Sequence, residues 1–233
     1  MTEFNQQLPL ALNLPDDETF ESFHTAGNEA AVAHLQNYLQ ESGRPIFVWG
    51  GEGAGKTHLL HAACANISQS GLQYAYLPMT QAGQLSPAMC DGLELVDLIA
   101  IDDIDKIAGQ PEWERALFDL YNRVGEQGKA RLVLSSSTSP VNGQFDLPDL
   151  VSRLNWGTVY MLSVLDDEQK IRMLMQRAKI RGMKMPDEVA RFLLTRLDRD
   201  MVALNRALDQ LDRASMVAQR RLTVPFVKQA LSL

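Results

Sequence analysis

A short apolar run, "PIFVWG", leads straight into Gly50-Gly51-Glu52-Gly53-Ala54-Gly55-Lys56-Thr57, and an Ala/Leu-rich stretch follows. The octet fits G-x-x-x-x-G-K-[ST] without a mismatch, and it lies where such a loop has to lie, after a strand and before a helix. Small residues let backbone N–H groups close around phosphate oxygens, Lys56 reaches the β and γ phosphates, and Thr57 is placed to ligate Mg²⁺. The helix that starts there points its positive end at the anion. His58, next after the octet, is counted with it as a cofactor-binding position.

The segments around this unit repeat its alternation. "LQYAYLP" reads as a second strand and "LVDLIAIDD" as a third, an almost unbroken apolar run of the kind buried on both faces of a parallel sheet. "EWERALFDLYNRVGEQG" is an amphipathic helix with Trp113, Leu117, Leu120, Tyr121 and Val124 on one stripe. "ARLVLSSS" is a fourth strand, and the Pro/Gly/Asn-rich "TSPVNGQFDLPD" is a loop. Upstream, residues 21–42 carry Ala30, Ala31, Val32, Leu35 and Leu39 near helical spacing, with Gly43 at the stop. Strands alternating with helices predict a parallel sheet with right-handed crossovers.

After "TVYML" the texture changes. "DDEQKIRMLMQRAKIRG" opens on Asp166 with Gln169 three residues later and ends at Gly182, so capping signals frame it at both ends. Two more helices follow, "PDEVARFLLTRL" and "DMVALNRALDQLDRASMVAQ", then a short one with Pro225 near its start. The expected organisation is a tail over 1–14, an α/β nucleotide-binding domain over 15–165 and an all-helical domain over 166–233.

A phosphate loop needs a carboxylate at the tip of a neighbouring strand to hold the metal through water, and "LVDLIAIDD" supplies it. Asp102 is the metal-side candidate with Thr57; Asp103 is the group that polarises an attacking water, if hydrolysis occurs at all, the alternative for both being a solvated strand end. His58 and His61 lie three apart without a third ligand, which favours helix-face residues over a metal pair. Cys64 and Cys90 lack paired spacing and read as packed thiols in a reducing, cytoplasmic setting. No apolar run approaches the roughly 18 to 20 residues of a membrane span, and Glu3 stands where a signal peptide carries basic residues. Net charge is −7, yet residues 151–233 hold 15 Lys+Arg against 9 Asp+Glu, so the last third is basic on an acidic chain. Either a nucleic-acid or acidic-partner surface accounts for that, or arginines on solvated helix faces.

The octet, "IDDIDKI", "LVSRLNWG" and the helical appendix together resemble the AAA+ family of P-loop NTPases, in its bacterial initiator branch, over essentially residues 7–233. "LPDDETF", "FDLYNR", "LPDLVSRLNWG", "RFLLTRLDR" and "LDQLDRAS" make the resemblance specific. It implies an α/β nucleotide-binding domain with a helical lid, binding ADP or ATP with Mg²⁺. It also implies that Arg153 in "SRLNWG" is an arginine finger, delivered in trans to a γ-phosphate; on the residues alone a helix-end arginine bonding a carbonyl fits as well. The family's sensor positions fall on Ser137, which is no carboxylate, and on Val202, with Arg199 and Arg206 three before and four after it. Those departures imply a nucleotide holder, of ADP, with weak or no ATPase activity of its own. The initiator DnaA continues into a DNA-binding domain where this sequence ends, so sequence-specific DNA binding is not expected.

The function implied is regulatory: the nucleotide-bound protein sits on the replication sliding clamp and offers Arg153 to ATP bound on DnaA, promoting hydrolysis and switching the initiator off. An exposed finger serves a homodimer as readily as a hetero-complex. Two other readings stay open, a small P-loop phosphotransferase and a helicase-loader-like AAA+ protein. Phe20 and Phe23 serve either as base-pocket walls or as core aromatics. In the tail, Gln7, Leu10 and Leu12 fit the Q-x-x-L-x-L form of peptides that engage the bacterial clamp, with Leu8 as an added apolar contact and Pro9 keeping the segment extended. A strand covering the domain's own apolar surface is the alternative for that segment.

Overall fold

The computed structural model describes residues 15, 17–40, 43–127, 129–198, 200–218 and 220–233, with residues 127 and 202 described by backbone alone. The Gln7, Leu8, Leu10 and Leu12 positions, Arg199 and the side chain of Val202 therefore lie outside the described residues. The chain divides into two compact units, one made of residues up to 20 and 27–163, the other of 21–26 and 164–233.

The first unit is a five-stranded sheet flanked by helices. Its strands are β1 (Ile46–Trp49), β2 (Tyr74–Pro78), β3 (Leu98–Asp102), β4 (Arg131–Ser136) and β5 (Thr158–Met161), in the spatial order β2-β3-β4-β1-β5. Every pairing is parallel, with Ile46 opposite both Val133 and Thr158, and Tyr74 opposite Leu98. The alternation of the strands sends Phe47, Leu77, Ile99, Ile101, Leu132 and Leu134 to one face, where Trp113, Leu117, Leu120, Tyr121 and Val124 of α3 (Pro111–Gln127) pack against them. The stripe expected on that helix is thus its buried face. On the opposite face, α1 (Glu29–Tyr38) and α2 (Lys56–Gln69) contribute Leu35, Leu59, Leu60 and Ala63, all fully buried. Each such Leu or Ile removed from water is worth about 1.5 to 3 kcal/mol, so the sheet is stabilised from both sides at every strand but the edges.

Three local differences from the sequence reading have physical causes. The first helix begins at Glu29, because Gly27 takes φ +81 and Asn28 is turned aside: its Oδ1 accepts from Ser163 N–H at 2.8 Å while its Nδ2 donates to the Ser163 carbonyl at 3.2 Å. Residues 21–26 are turns and irregular backbone. "TVYML" contains a fifth strand, and Val159 and Met161 on it stay exposed as expected of an edge. Within the stretch "LPDLVSRLNWG" lies a nine-residue helix, α4 (Pro148–Trp156), started by Pro148 and fixed by Leu150 and Leu154, both fully buried.

The second unit is helical: α5 (Asp167–Ile180), α6 (Asp187–Arg196), α7 (Met201–Ala218) and α8 (Val224–Leu231) enclose a core that includes Leu174, Leu193, Leu204, Leu208 and Val227. Asp166 and Gln169 form the capping box their spacing predicts, and Met183 N–H returns to the Ala178 carbonyl at 2.8 Å to close the other end. Among the described residues no helix is long and apolar enough to cross a membrane.

Candidate functional site

The carboxyl ends of β1, β3 and β4 converge on the glycine loop. Gly50 N–H donates to the Ser136 carbonyl at 3.3 Å, and a Cβ added at Gly50 would stand 2.7 Å from the Leu162 carbonyl oxygen, so any other residue there would force the loop off the strand. Gly55 caps α2 at φ +90, a conformation L side chains rarely adopt, and it provides no side-chain cap. The first N–H groups of α2 are therefore left for an anion. Lys56 is buried, and its Nζ donates to the carbonyls of Gly50 at 3.0 Å and Gly51 at 3.2 Å. Glu52 is exposed on the loop between Gly51 and Gly53, and Ala54 is buried. A cation held inside a ring of small residues at an uncapped helix start suits a phosphate chain.

The metal-side candidates also meet. Thr57 Oγ1 donates to Asp102 Oδ2 at 2.7 Å, and Asp102 is buried. Tyr76 OH donates to the same oxygen at 2.8 Å, and the Ser135 hydroxyl donates to Oδ1. Burial and the adjacent Asp102 charge both push the Tyr76 phenol upward, which keeps it protonated as a donor. Three hydroxyls thus hold one carboxylate in place. Among the described residues no group of three or more His, Cys, Asp or Glu is placed to bind a metal. The residues that would hold Mg²⁺ are Thr57 and, through water, Asp102, oxygen donors of the kind that ion prefers.

Asp103 sits at φ 55, in the left-handed region that Asp tolerates better than most residues, with its N–H donating to Ser135 Oγ at 2.8 Å. Burial, then the neighbouring Asp102, raises its carboxyl above the usual value, against the pull of Lys56. Ser137 does not face outward as a free donor. Its N–H and its hydroxyl both reach Asp105, each at 2.9 Å. Burial works to raise Asp105, but these bonds and Lys106 outweigh it and hold the carboxyl low.

The two histidines have separate partners. His58 Nε2 meets the Thr19 carbonyl at 2.9 Å, so its ring belongs to the segment before α1. His61 Nδ1 pairs with Glu18 at 2.5 Å and packs edge-on to Tyr76. Cys64 and Cys90 are buried free thiols. Phe23 is buried and Phe20 half-buried.

Arg153 lies in the last turn of α4 and is exposed; it makes no hydrogen bond or ion pair with a described residue. It lines a shallow cavity of about 430 Å³ with Phe118, Asp149, Ser152, Asn155 and Trp156. Trp156 is half-exposed, and the Arg44 guanidinium lies 5.1 Å from its ring centre. Among the described residues no carbonyl accepts from Arg153.

Tyr76, Ser135 and Asp105 were not legible as site residues. Their role depends on strand order, since Tyr76 reaches Asp102 only because β2 lies beside β3 and Ser135 only because β4 lies on the other side. The one available signal was the alternation in "YAYLP", which marks Tyr74 and Tyr76 as sharing a face.

Residues 14–161 match the family model of the bacterial DnaA ATPase domain, and residues 167–231 match that of the Hda lid domain. Domain III of the replication initiation protein DnaA of Thermotoga maritima superposes with a TM-score of 0.76 at 26% identity, covering 94% of this chain and 97% of that one. AMPPCP-bound DnaA of Aquifex aeolicus gives 0.72 at 23% identity, covering 87% and 67%. The Thermotoga maritima RuvB Holliday junction branch migration motor shares the fold, with a TM-score of 0.64 at 15% identity over 88% of this chain and 69% of that one.

Proposed function

We propose that this chain, which belongs to the bacterial DnaA ATPase-domain family and carries a helical lid of the Hda kind, is a regulator that acts on the initiator's bound ATP through Arg153. The exposed guanidinium on α4, which makes no hydrogen bond or ion pair with a described residue, is the observation that carries this reading. A guanidinium brought to a partner's γ-phosphate neutralises charge that spreads over its equatorial oxygens at the transition state, worth about 10³ to 10⁵ in rate. An arginine serving another molecule has to be free of internal bonds. The partner's ATP is the substrate, and stimulated hydrolysis leaves the initiator in its ADP form, inactive.

The chain's own nucleotide, ADP with Mg²⁺ in this reading, is held and not turned over. A bound metal would supply positive charge beside the phosphates, and the protein's part is binding. The first N–H groups of α2 and the Lys56 ammonium take the phosphate oxygens, and Thr57 with Asp102 takes the metal and its water. What supports weak self-hydrolysis is the engagement of Ser137 with Asp105, which removes its hydroxyl from any phosphate. In the same reading Gln7, Leu8, Leu10 and Leu12 dock on the DNA-loaded sliding clamp, adding an extended peptide to the clamp's surface.

The test is ATP hydrolysis by DnaA with and without this protein, clamp and DNA. Stimulation by the parent that requires the clamp and vanishes with Arg153→Ala is expected. Equal stimulation by mutant and parent would sink the reading. Alanine at Gln7, Leu10 and Leu12 should abolish clamp binding and leave nucleotide affinity as it was.

A further inference from the structure

Glu114 stands in the first turn of α3 and is 1% exposed. Its Oε1 accepts from Gly109 N–H at 2.7 Å and from Asp146 N–H at 3.1 Å; its Oε2 accepts from Leu147 N–H at 2.7 Å. No described cation pairs with it. A carboxylate taken out of water without a counter-charge is costly, and these three bonds, all from backbone, are its compensation. The donors do not belong to its own helix. Two come from the segment that leads into α4, Leu147 being the residue just before Pro148, and one from the loop that leaves β3 after Asp102 and Asp103.

We infer that Glu114 is the positioning residue for Arg153: one buried carboxylate fixes the start of the arginine's helix to the chain segment that leaves the metal-side strand. The inference rests on the role given to Arg153 above. Helix α4 is nine residues long, its core anchors Leu150 and Leu154 lie on one side, and its far end runs through Gly157 into β5, so the entry point at Leu147 is one of the two ends that set its tilt. Any tilt there appears at the last turn, where Arg153 sits. On the other side, Gly109 is reached from Asp103 through the tight turn of Ile104–Ile107, which the Asp105–Ser137 pair clamps. The strand end at the candidate nucleotide site and the helix that carries the guanidinium therefore share this fastening.

A misplacement of about 1 Å costs on the order of 10²-fold in a positioned reaction. Glu114→Gln keeps the shape but gives up one acceptor, so it is expected to lower the maximal stimulation of DnaA hydrolysis roughly 10- to 100-fold. The half-saturating concentration and the protein's own ADP affinity should stay at parental values; a loosened interface would move the former and a damaged fold the latter. In an Arg153→Lys background, whose flexible ammonium is already poorly placed, the same change should cost less than about twofold, since coupled residues are non-additive. Equal costs in the two backgrounds overturn the inference. So does full stimulation by Glu114→Gln where Arg153→Ala has lost it, whereas full stimulation by Arg153→Ala defeats the role of Arg153 instead. If Glu114→Gln loses ADP binding, Glu114→Asp, which keeps the charge and withdraws the acceptor by one methylene, is measured in its place: a lowered maximum supports the inference and an unchanged one overturns it.

Discussion

Two cations of the sheet-containing unit are held on opposite terms. Lys56 is buried and rests on the carbonyls of Gly50 and Gly51, and around it Thr57, Tyr76 and Ser135 all hold Asp102. Arg153 is exposed, and no described residue bonds it. A cation that waits for the chain's own ligand can rest on backbone oxygens of the loop that would receive it. A cation meant for another molecule gains nothing from an internal partner, because that partner would have to be given up at the interface. The side chains of Lys56 and Asp102 thus have internal partners, whereas the α4 corner leaves a guanidinium that bonds no described residue.

The comparison breaks most sharply at Arg153. Arg153→Ala should remove about 10³-fold or more of the stimulated hydrolysis on DnaA while changing the chain's own ADP affinity by less than about twofold, as measured by fluorescent-nucleotide titration. Lys56→Ala should do the reverse in the first instance, weakening ADP binding roughly 100-fold, about 3 kcal/mol, as a charged hydrogen-bond donor is lost from a buried site. If both variants lost both properties alike, the division between the two regions would be wrong.

A smaller effect belongs to Asp105, which lies between them. Its carboxyl is held below the ordinary value in the folded protein, so it contributes stability that is fully present above about pH 4 and is lost as the pH falls through the lowered value. Asp105→Asn should therefore cost about 1 kcal/mol in urea unfolding at pH 7, and the gap between variant and parent should narrow at pH 3. The least response should come from the thiols. Burial pushes Cys64 up strongly and Cys90 to about 11, so neither should react with an aromatic disulfide reagent at pH 8 until the protein is denatured, when both should.

Sequence alone carried the fold well where the signal is local. The octet, the apolar run ending at Asp102, the stripe on α3 and the capping box at Asp166 and Gln169 are each decided within a few residues, and each lies where expected. What escaped depends on neighbours far along the chain. Asn28 ends the run of turns before α1 by bonding Ser163, and Glu114 finds its donors at 109 and at 146–147. The helix α4 was obscured because its "LPDL" start, read as the end of a loop, is the proline-led first turn of a helix too short to show periodicity. The site followed the same division: Lys56, Thr57 and Asp102 come from motifs, whereas Tyr76 and Ser135 come from strand order.

The strand order also sets a clock. β1, the strand that carries the phosphate loop, has no pairing partner near it in sequence: Ile46 waits for Val133 on one side and Thr158 on the other, while β2 and β3 pair across a short interval, Tyr74 with Leu98. Distant parallel pairings close slowly, and on the ribosome they cannot close until the later strand has been made. The loop at residues 50–57 is thus written early and shaped late, its strand flanked on both sides only once the chain has been made through β5.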